Sequence, residues 1–251
     1  MKNIPIHIIV FGDNVFGVLF LTRKSISIYH RVTQNLTAIN YEDIWIIQHW
    51  KNKIQKAAQS ITKLAHDHGC LSIVDTVTGL AGVPLMVDEW GIDAIYSGTQ
   101  KCLSASPGLS PISFSEAAKE KIKNRESKVK SWFLDLNLIM SYWEGEGARS
   151  YHHTAPINAL YGLHEALIIL KEEGIENSWE RHKNNHLQLR SGLEDMGIKF
   201  LVDEEDRLPQ LNSIYIPEGV DDLESRKKLL NDFNLEIGAG LGVLAGKIWR
   251  I

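Results

Sequence analysis

Residues 70–115 read CLSIVDTVTGLAGVPLMVDEWGIDAIYSGTQKCLSASPGLSPISFS. Leu71 to Val74 is a short apolar run that ends on Asp75, the pattern of a strand buried on both faces of a parallel sheet. Gly79, Gly82 and Pro84 punctuate a loop, and Met86 to Trp90 is long enough for a turn of helix. Ile92 to Ser97 forms a second apolar run and Pro111 to Phe114 a third. A helix is predicted from Ser115 to about Asn124, with Ser115 and Glu116 supplying its N-terminal cap. Upstream, Ala57, Ile61, Leu64 and Ala65 repeat at helical spacing, and Gly69 stops that helix. Strands alternating with helices predict an α/β fold with a mainly parallel sheet.

The chemistry gathers at the strand ends. In open α/β sheets the carboxyl edge is where ligands bind. Lys101 follows the second run across the small-residue turn Ser97-Gly98-Thr99-Gln100. A lysine held there among apolar neighbours loses its charge easily, and a neutral amine is what Schiff-base chemistry needs. Asp75 stands at the end of the adjacent run, where a carboxylate can keep a pyridinium nitrogen protonated. A third candidate is Arg250, in the short run Lys247 to Ile251; its guanidinium can grip a carboxylate bidentately. Each residue has a plainer reading: an exposed loop lysine, a helix-capping or magnesium-binding aspartate, an edge-strand salt bridge.

Away from this block, helices are predicted from about Ile157 to Glu173 and from Glu176 to Met196, broken at Gly174 and closed by Gly197. The texture then changes. Lys199–Val202, Leu211–Ile216, Leu235–Ile237 and Lys247–Ile251 are expected as short strands around a helix Leu223–Phe233. This predicts a large domain over 1–173 and a smaller α+β domain over 174–251. At the other end, Ile6–Phe11 and Val15–Leu21 are expected as buried strands around Gly12-Asp13-Asn14. Lys2 before an apolar run suggests a signal peptide, but no small-residue cleavage site follows. Residues 23–54 hold no Gly or Pro and keep neither period for long, so they stay unassigned.

Composition narrows the function classes. The net charge of −4 with both signs interspersed argues against nucleic acid. The N-terminal apolar stretch is interrupted and too short to span a bilayer. Two cysteines outside any CxxC indicate a reducing, intracellular setting rather than a disulfide framework. His66 and His68 sit two apart on a helix and point away from each other, so no metal is expected there or at His152-His153. Gly238, Gly240 and Gly242 miss the dinucleotide spacing, because position 243 is Val.

Taken in order, the blocks VDTV (74–77), SGTQK (97–101), YHHT (151–154) and GKIWRI (246–251) resemble the class V, fold-type-I aminotransferases. The likeness is greatest to the alanine–glyoxylate and serine–pyruvate type and runs from about Ala57 to the end. It implies pyridoxal 5′-phosphate bound covalently to Lys101, which then serves as general base and acid. It also implies Asp75 against the pyridine nitrogen, Val77 on one ring face and Gln100 beside the cofactor. Tyr151 and Thr154 would reach the phosphate in the neighbouring subunit of a homodimer, and Arg250 would bind the substrate carboxylate. The implied reaction moves an amino group from alanine or serine to glyoxylate or pyruvate. The implied compartment is peroxisomal or mitochondrial, otherwise cytoplasmic. The family's N-terminal phosphate-cradling turn and ring-stacking aromatic have no counterpart in the text before Ala57, and the small domain of the family continues past Ile251. Weak cofactor binding is therefore expected. The competing expectation is a non-catalytic paralogue or fragment that at most pairs with a full-length partner.

Overall fold

The computed structural model describes residues 54–144, 151–204 and 207–251. The expected strands at 6–11 and 15–21 lie outside these residues, as does nearly all of the unassigned stretch 23–54.

Helix α1 spans Ile54–Asp67. Its buried line runs through Ala58, Thr62 and Ala65, at spacings of four and three. Leu64, expected on that line, is 52% exposed because it is one residue's rotation off the stripe. The helix stops as predicted. Gly69 is left-handed at φ +68, its N–H reaches the His66 carbonyl at 2.9 Å, and the Cys70 N–H reaches Ala65 at 2.8 Å, the two bonds of a Schellman motif.

Strands β1 (Ile73–Asp75), β2 (Ala94–Tyr96) and β3 (Ile112–Phe114) form one sheet in that order. β1 and β2 are parallel, with Asp75 opposite Tyr96. β3 runs antiparallel to β2, so the sheet is mixed. A parallel return needs a crossover, usually a helix. The segment between β2 and β3 instead folds back as a wide hairpin: the Ser97 N–H meets the Pro111 carbonyl at 2.9 Å and the Thr99 N–H meets Leu109 at 3.3 Å. Ala58, Val74, Trp90, Ile92 and Ile95 make the core beneath this sheet, with Leu85, Met86 and Val87 packed on it.

One carboxylate ties the sheet to its helices. Asp93, 4% exposed, accepts the Ser72 N–H at 2.8 Å, the Ser72 hydroxyl at 3.2 Å and His66 Nε2 at 2.7 Å on Oδ2, and the Ser115 hydroxyl at 2.9 Å on Oδ1. Ser115 also caps α2 (Glu116–Lys123) as expected, accepting the Ala118 N–H at 3.1 Å. His66 therefore serves a carboxylate, and no group of three or more metal-ligating side chains occurs among the described residues.

Helices α3 (Leu136–Glu144), α4 (Ile157–Glu173) and α5 (Ile175–Asp195) follow, the last two joined at Gly174 with φ +86. The second sheet is antiparallel, ordered β4 (Ser213–Tyr215), β6 (Ile248–Arg250), β5 (Gly238–Ala239). The strand expected at Lys199–Val202 reduces to a single bridge, Phe200 to Ile214, and the one expected at Leu235–Ile237 pairs only from Gly238. Helix α6 (Asp222–Phe233) begins at Asp221, whose side chain accepts the Glu224 N–H at 2.8 Å. Leu193, Ile214, Ile237 and Trp249 form a second core. No helix among the described residues is long and apolar enough to cross a membrane.

Candidate active site

The carboxyl edge of β1 and β2 carries the first candidate. Asp75 is 7% exposed, and both of its oxygens are held. Oδ1 accepts the Val77 N–H at 2.8 Å, an Asx-type turn onto the residue two ahead. Oδ2 accepts the Tyr96 hydroxyl at 2.8 Å from the neighbouring strand. Burial first, and the carboxylate second, push the Tyr96 hydroxyl well above the usual tyrosine range, so it stays a donor.

The loops leaving the two strands are stitched together. The Thr76 N–H and hydroxyl both donate to the Tyr96 carbonyl, at 2.9 and 2.8 Å, and the Ser97 hydroxyl donates back to the Thr76 carbonyl at 3.0 Å. The Thr99 hydroxyl binds the Ser106 carbonyl at 2.7 Å, which folds the far side of the turn inward. Lys101 sits on this turn, where its carbonyl accepts the Ser104 N–H at 2.9 Å. The side chains of Lys101 and Gln100 are exposed, so the lysine lacks the apolar surroundings expected from the sequence. The apolar residues flanking it, such as Leu103, turn into the protein while the top of the turn faces out. Beside Lys101, the Cys102 thiol reaches the Thr78 carbonyl at 3.4 Å. Burial raises that thiol, against the opposing positive charges of Arg181 and Lys101. Arg181 is itself paired with Glu173.

The second sheet approaches the same loop. Gln210 Nε2 donates to the Thr78 carbonyl at 2.6 Å, and the Ser178 hydroxyl donates to Ala81 at 2.9 Å. Two residues past Gln210, Asn212 exchanges backbone hydrogen bonds with Ile251, at 3.0 and 2.8 Å. That places Arg250 one residue from a strand end linked to the Asp75 loop. Arg250 is half-buried on the central strand β6, not on an edge, and its Nε donates to the Ala239 carbonyl at 2.8 Å.

Tyr151 and Thr154 stand apart from this cluster. Both are exposed, and their hydroxyls bind each other. Between them His152, 4% exposed, donates from Nε2 to the Trp132 carbonyl at 2.8 Å and shares a 2.7 Å hydrogen bond with His153 through the two Nδ1 atoms. Trp132 and Phe133, more than half exposed, lie against these rings, Trp132 tilted over His152 and Phe133 edge-on to His153.

Asp75, Val77 and the Lys101 turn thus share one edge, Arg250 is linked to it through Gln210, and Tyr151 with Thr154 forms a separate exposed pair. Sequence reasoning missed Tyr96, Cys102 and Gln210. Tyr96 stands opposite Asp75 in the register of the two strands, one residue short of where aligning the apolar runs on Asp75 and Ser97 would set it. Gln210 carries no such signal, since 132 residues separate it from Thr78.

Comparison with known proteins gives a consistent picture. The profile of the family described as "Aminotransferase class-V" matches residues 43–246, reaching back into the stretch that periodicity left unassigned. Alanine–glyoxylate aminotransferase of Rattus norvegicus is 42% identical over 191 residues, 75% of this chain and 46% of that protein. (S)-ureidoglycine–glyoxylate transaminase of Bacillus subtilis is 35% identical over 211 residues, 77% of this chain and 50% of that one. Among solved structures, alanine–glyoxylate aminotransferase from Nostoc sp. superposes with a TM-score of 0.71 at 41% identity, covering 84% of this chain and 59% of that one. The chain spans about half the length of the curated relatives it matches.

Proposed function

Because this chain belongs to the class-V aminotransferase family, we propose that it moves an amino group from alanine or serine to glyoxylate or pyruvate, with pyridoxal 5′-phosphate held at Lys101. Its fold is that of the type I pyridoxal-phosphate-dependent transferases. The observation that carries the reading is the anchored Asp75 carboxylate at one strand end, with a primary amine on the turn that leaves the next.

The donor set fits the cofactor. A carboxylate has about four acceptor positions, and Asp75 has committed two to protein donors, which leaves capacity for a ring N–H. When bound, the cofactor supplies the electron sink that a free amino acid lacks. Asp75 would keep the ring nitrogen protonated, and Val77 would pack on one face of the ring. Lys101 Nζ would hold the cofactor between turnovers and, when substrate releases it, would serve as general base and acid at the substrate α-carbon. Gln100, one residue before it, would lie beside the cofactor. Arg250 pairs with the substrate carboxylate, which orients the α-carbon towards Lys101. Tyr151 and Thr154, exposed and paired, suit a phosphate in a second copy of the chain, so the competent form is a homodimer.

Glyoxylate is favoured as acceptor, because the rat and Bacillus relatives share that word in their names while their donors differ. The two separate cores support a division into large and small domains near Gly174.

The test is an absorbance spectrum of the full chain with added pyridoxal 5′-phosphate, before and after borohydride, beside Lys101→Ala. A band trapped by reduction and lost in Lys101→Ala is expected, with pyruvate then formed from alanine and glyoxylate. No band dependent on Lys101 would overturn the reading in favour of a non-catalytic chain that at most pairs with a full-length partner.

A further inference from the structure

Tyr96 touches none of the groups assigned above except Asp75, and that contact is built with care. The two residues are register partners on adjacent parallel strands, so their side chains leave the sheet on the same face. The hydroxyl takes Oδ2 while the Val77 N–H takes Oδ1. A carboxylate gripped at one oxygen can still swing about its χ2; gripped at both, it presents fixed lone pairs. Tyr96 itself is anchored, since its carbonyl accepts both donors of Thr76. Burial first and the carboxylate second push the Tyr96 hydroxyl well above the usual tyrosine range, so it keeps its proton and donates.

We propose that Tyr96 is a positioning residue: its hydroxyl holds the Asp75 carboxylate turned so that its remaining lone pairs meet the ring nitrogen of the cofactor. The inference rests on the cofactor reading given above. Among the described residues, titratable groups near this edge are Lys101 and Cys102, carried by the turn after β2, and Arg181, whose charge acts on Cys102.

The experiment is a double-mutant cycle of Tyr96→Phe and Asp75→Asn in the full chain. Its readouts are pyridoxal 5′-phosphate affinity from the absorbance titration and the wavelength and pH dependence of the cofactor band. Phe keeps the ring, so packing is conserved and melting temperature serves as the control. Tyr96→Phe should weaken cofactor affinity about tenfold, the contribution of one charge-assisted hydrogen bond. It should also shift the pH dependence of the band, because the ring nitrogen then meets a carboxylate free to turn. In the Asp75→Asn background the same change should have little further effect. An equal loss in both backgrounds would show that Tyr96 acts through packing and would overturn the proposal, as would an unmoved pH dependence of the band. If the wild-type chain forms no band, the cofactor reading fails and the proposal falls with it; a wild-type band that Tyr96→Phe leaves unchanged overturns the proposal alone.

Discussion

Asp93→Ala is expected to be among the most damaging single changes around the first sheet, although Asp93 takes no part in the proposed chemistry. The carboxylate accepts four hydrogen bonds from three segments. Two of the donors are on Ser72, 1% exposed, where water cannot replace the lost acceptor. Each buried donor left without a partner costs about 1–3 kcal/mol. The Ser72 N–H and hydroxyl together therefore set a loss of about 2–6 kcal/mol, a range that brackets the cost of about 3–5 kcal/mol for breaking a buried ion pair from one side. The Ser72 hydroxyl recovers part of this, because it still accepts the residue-93 N–H at 3.1 Å. Urea unfolding of the full chain, followed by circular dichroism, measures the change. Two comparisons make the test specific. Ser115→Ala removes one donor and the α2 cap and should cost about 1 kcal/mol. His66→Ala removes a partner whose side chain is 43% exposed and should cost less than Ser115→Ala. A loss below about 1 kcal/mol for Asp93→Ala, or an order with His66→Ala at the top, would refute the idea that burial of the donors sets the magnitude.

Two further changes probe the second sheet. Gly240→Ala would place a Cβ 2.0 Å from the Leu244 carbonyl oxygen and 2.9 Å from Ile248 Cγ1, so the backbone at Leu244 must shift; a loss of about 3 kcal/mol is expected by thermal unfolding, and a neutral result would count against the tight turn. Asp222 accepts Arg226 Nε and Trp249 Nε1, both at 2.8 Å, and its carboxyl is held below the usual range by Arg226 first and Trp249 second. A depressed carboxyl contributes stability above its unfolded value, roughly pH 4, and loses it as pH falls through the lower folded value. The stability gap between wild type and Asp222→Asn should therefore shrink from pH 6 towards pH 2, and urea titrations showing a constant gap would contradict this linkage.

The sequence disclosed what depends on local chemistry. Gly69 marks its helix end because a left-handed residue is needed there, and Ser115 marks a helix start because its oxygen meets an amide three residues on. The placement of Asp75 at a strand end and of Lys101 on the turn after the next strand was legible because both follow apolar runs. The direction of β3 was not, since the choice between crossover and hairpin depends on hydrogen bonds from Ser97 and Thr99 that no period announces. The exposure of Lys101 was hidden because flanking hydrophobicity does not say which way a turn faces. Leu64 misled because a small buried stripe, Ala58 to Ala65, needs no large neighbour to fill it. Arg250 read as an edge residue because nothing local tells that β5 and β4 flank its strand.

The stitching around residues 76–81 runs almost wholly to backbone oxygens. Ser97 holds the carbonyl of Thr76, Cys102 and Gln210 hold that of Thr78, and Ser178 holds that of Ala81. A carbonyl is present whatever side chain its residue bears. Over evolutionary time the identity at position 78 can therefore drift while the shape of the loop persists, whereas the residues that reach in from 97, 178 and 210 cannot change as freely. The information that specifies this edge of the site is stored mostly in distant parts of the chain, so substitutions far from Asp75 and Lys101 will be the ones that reshape it.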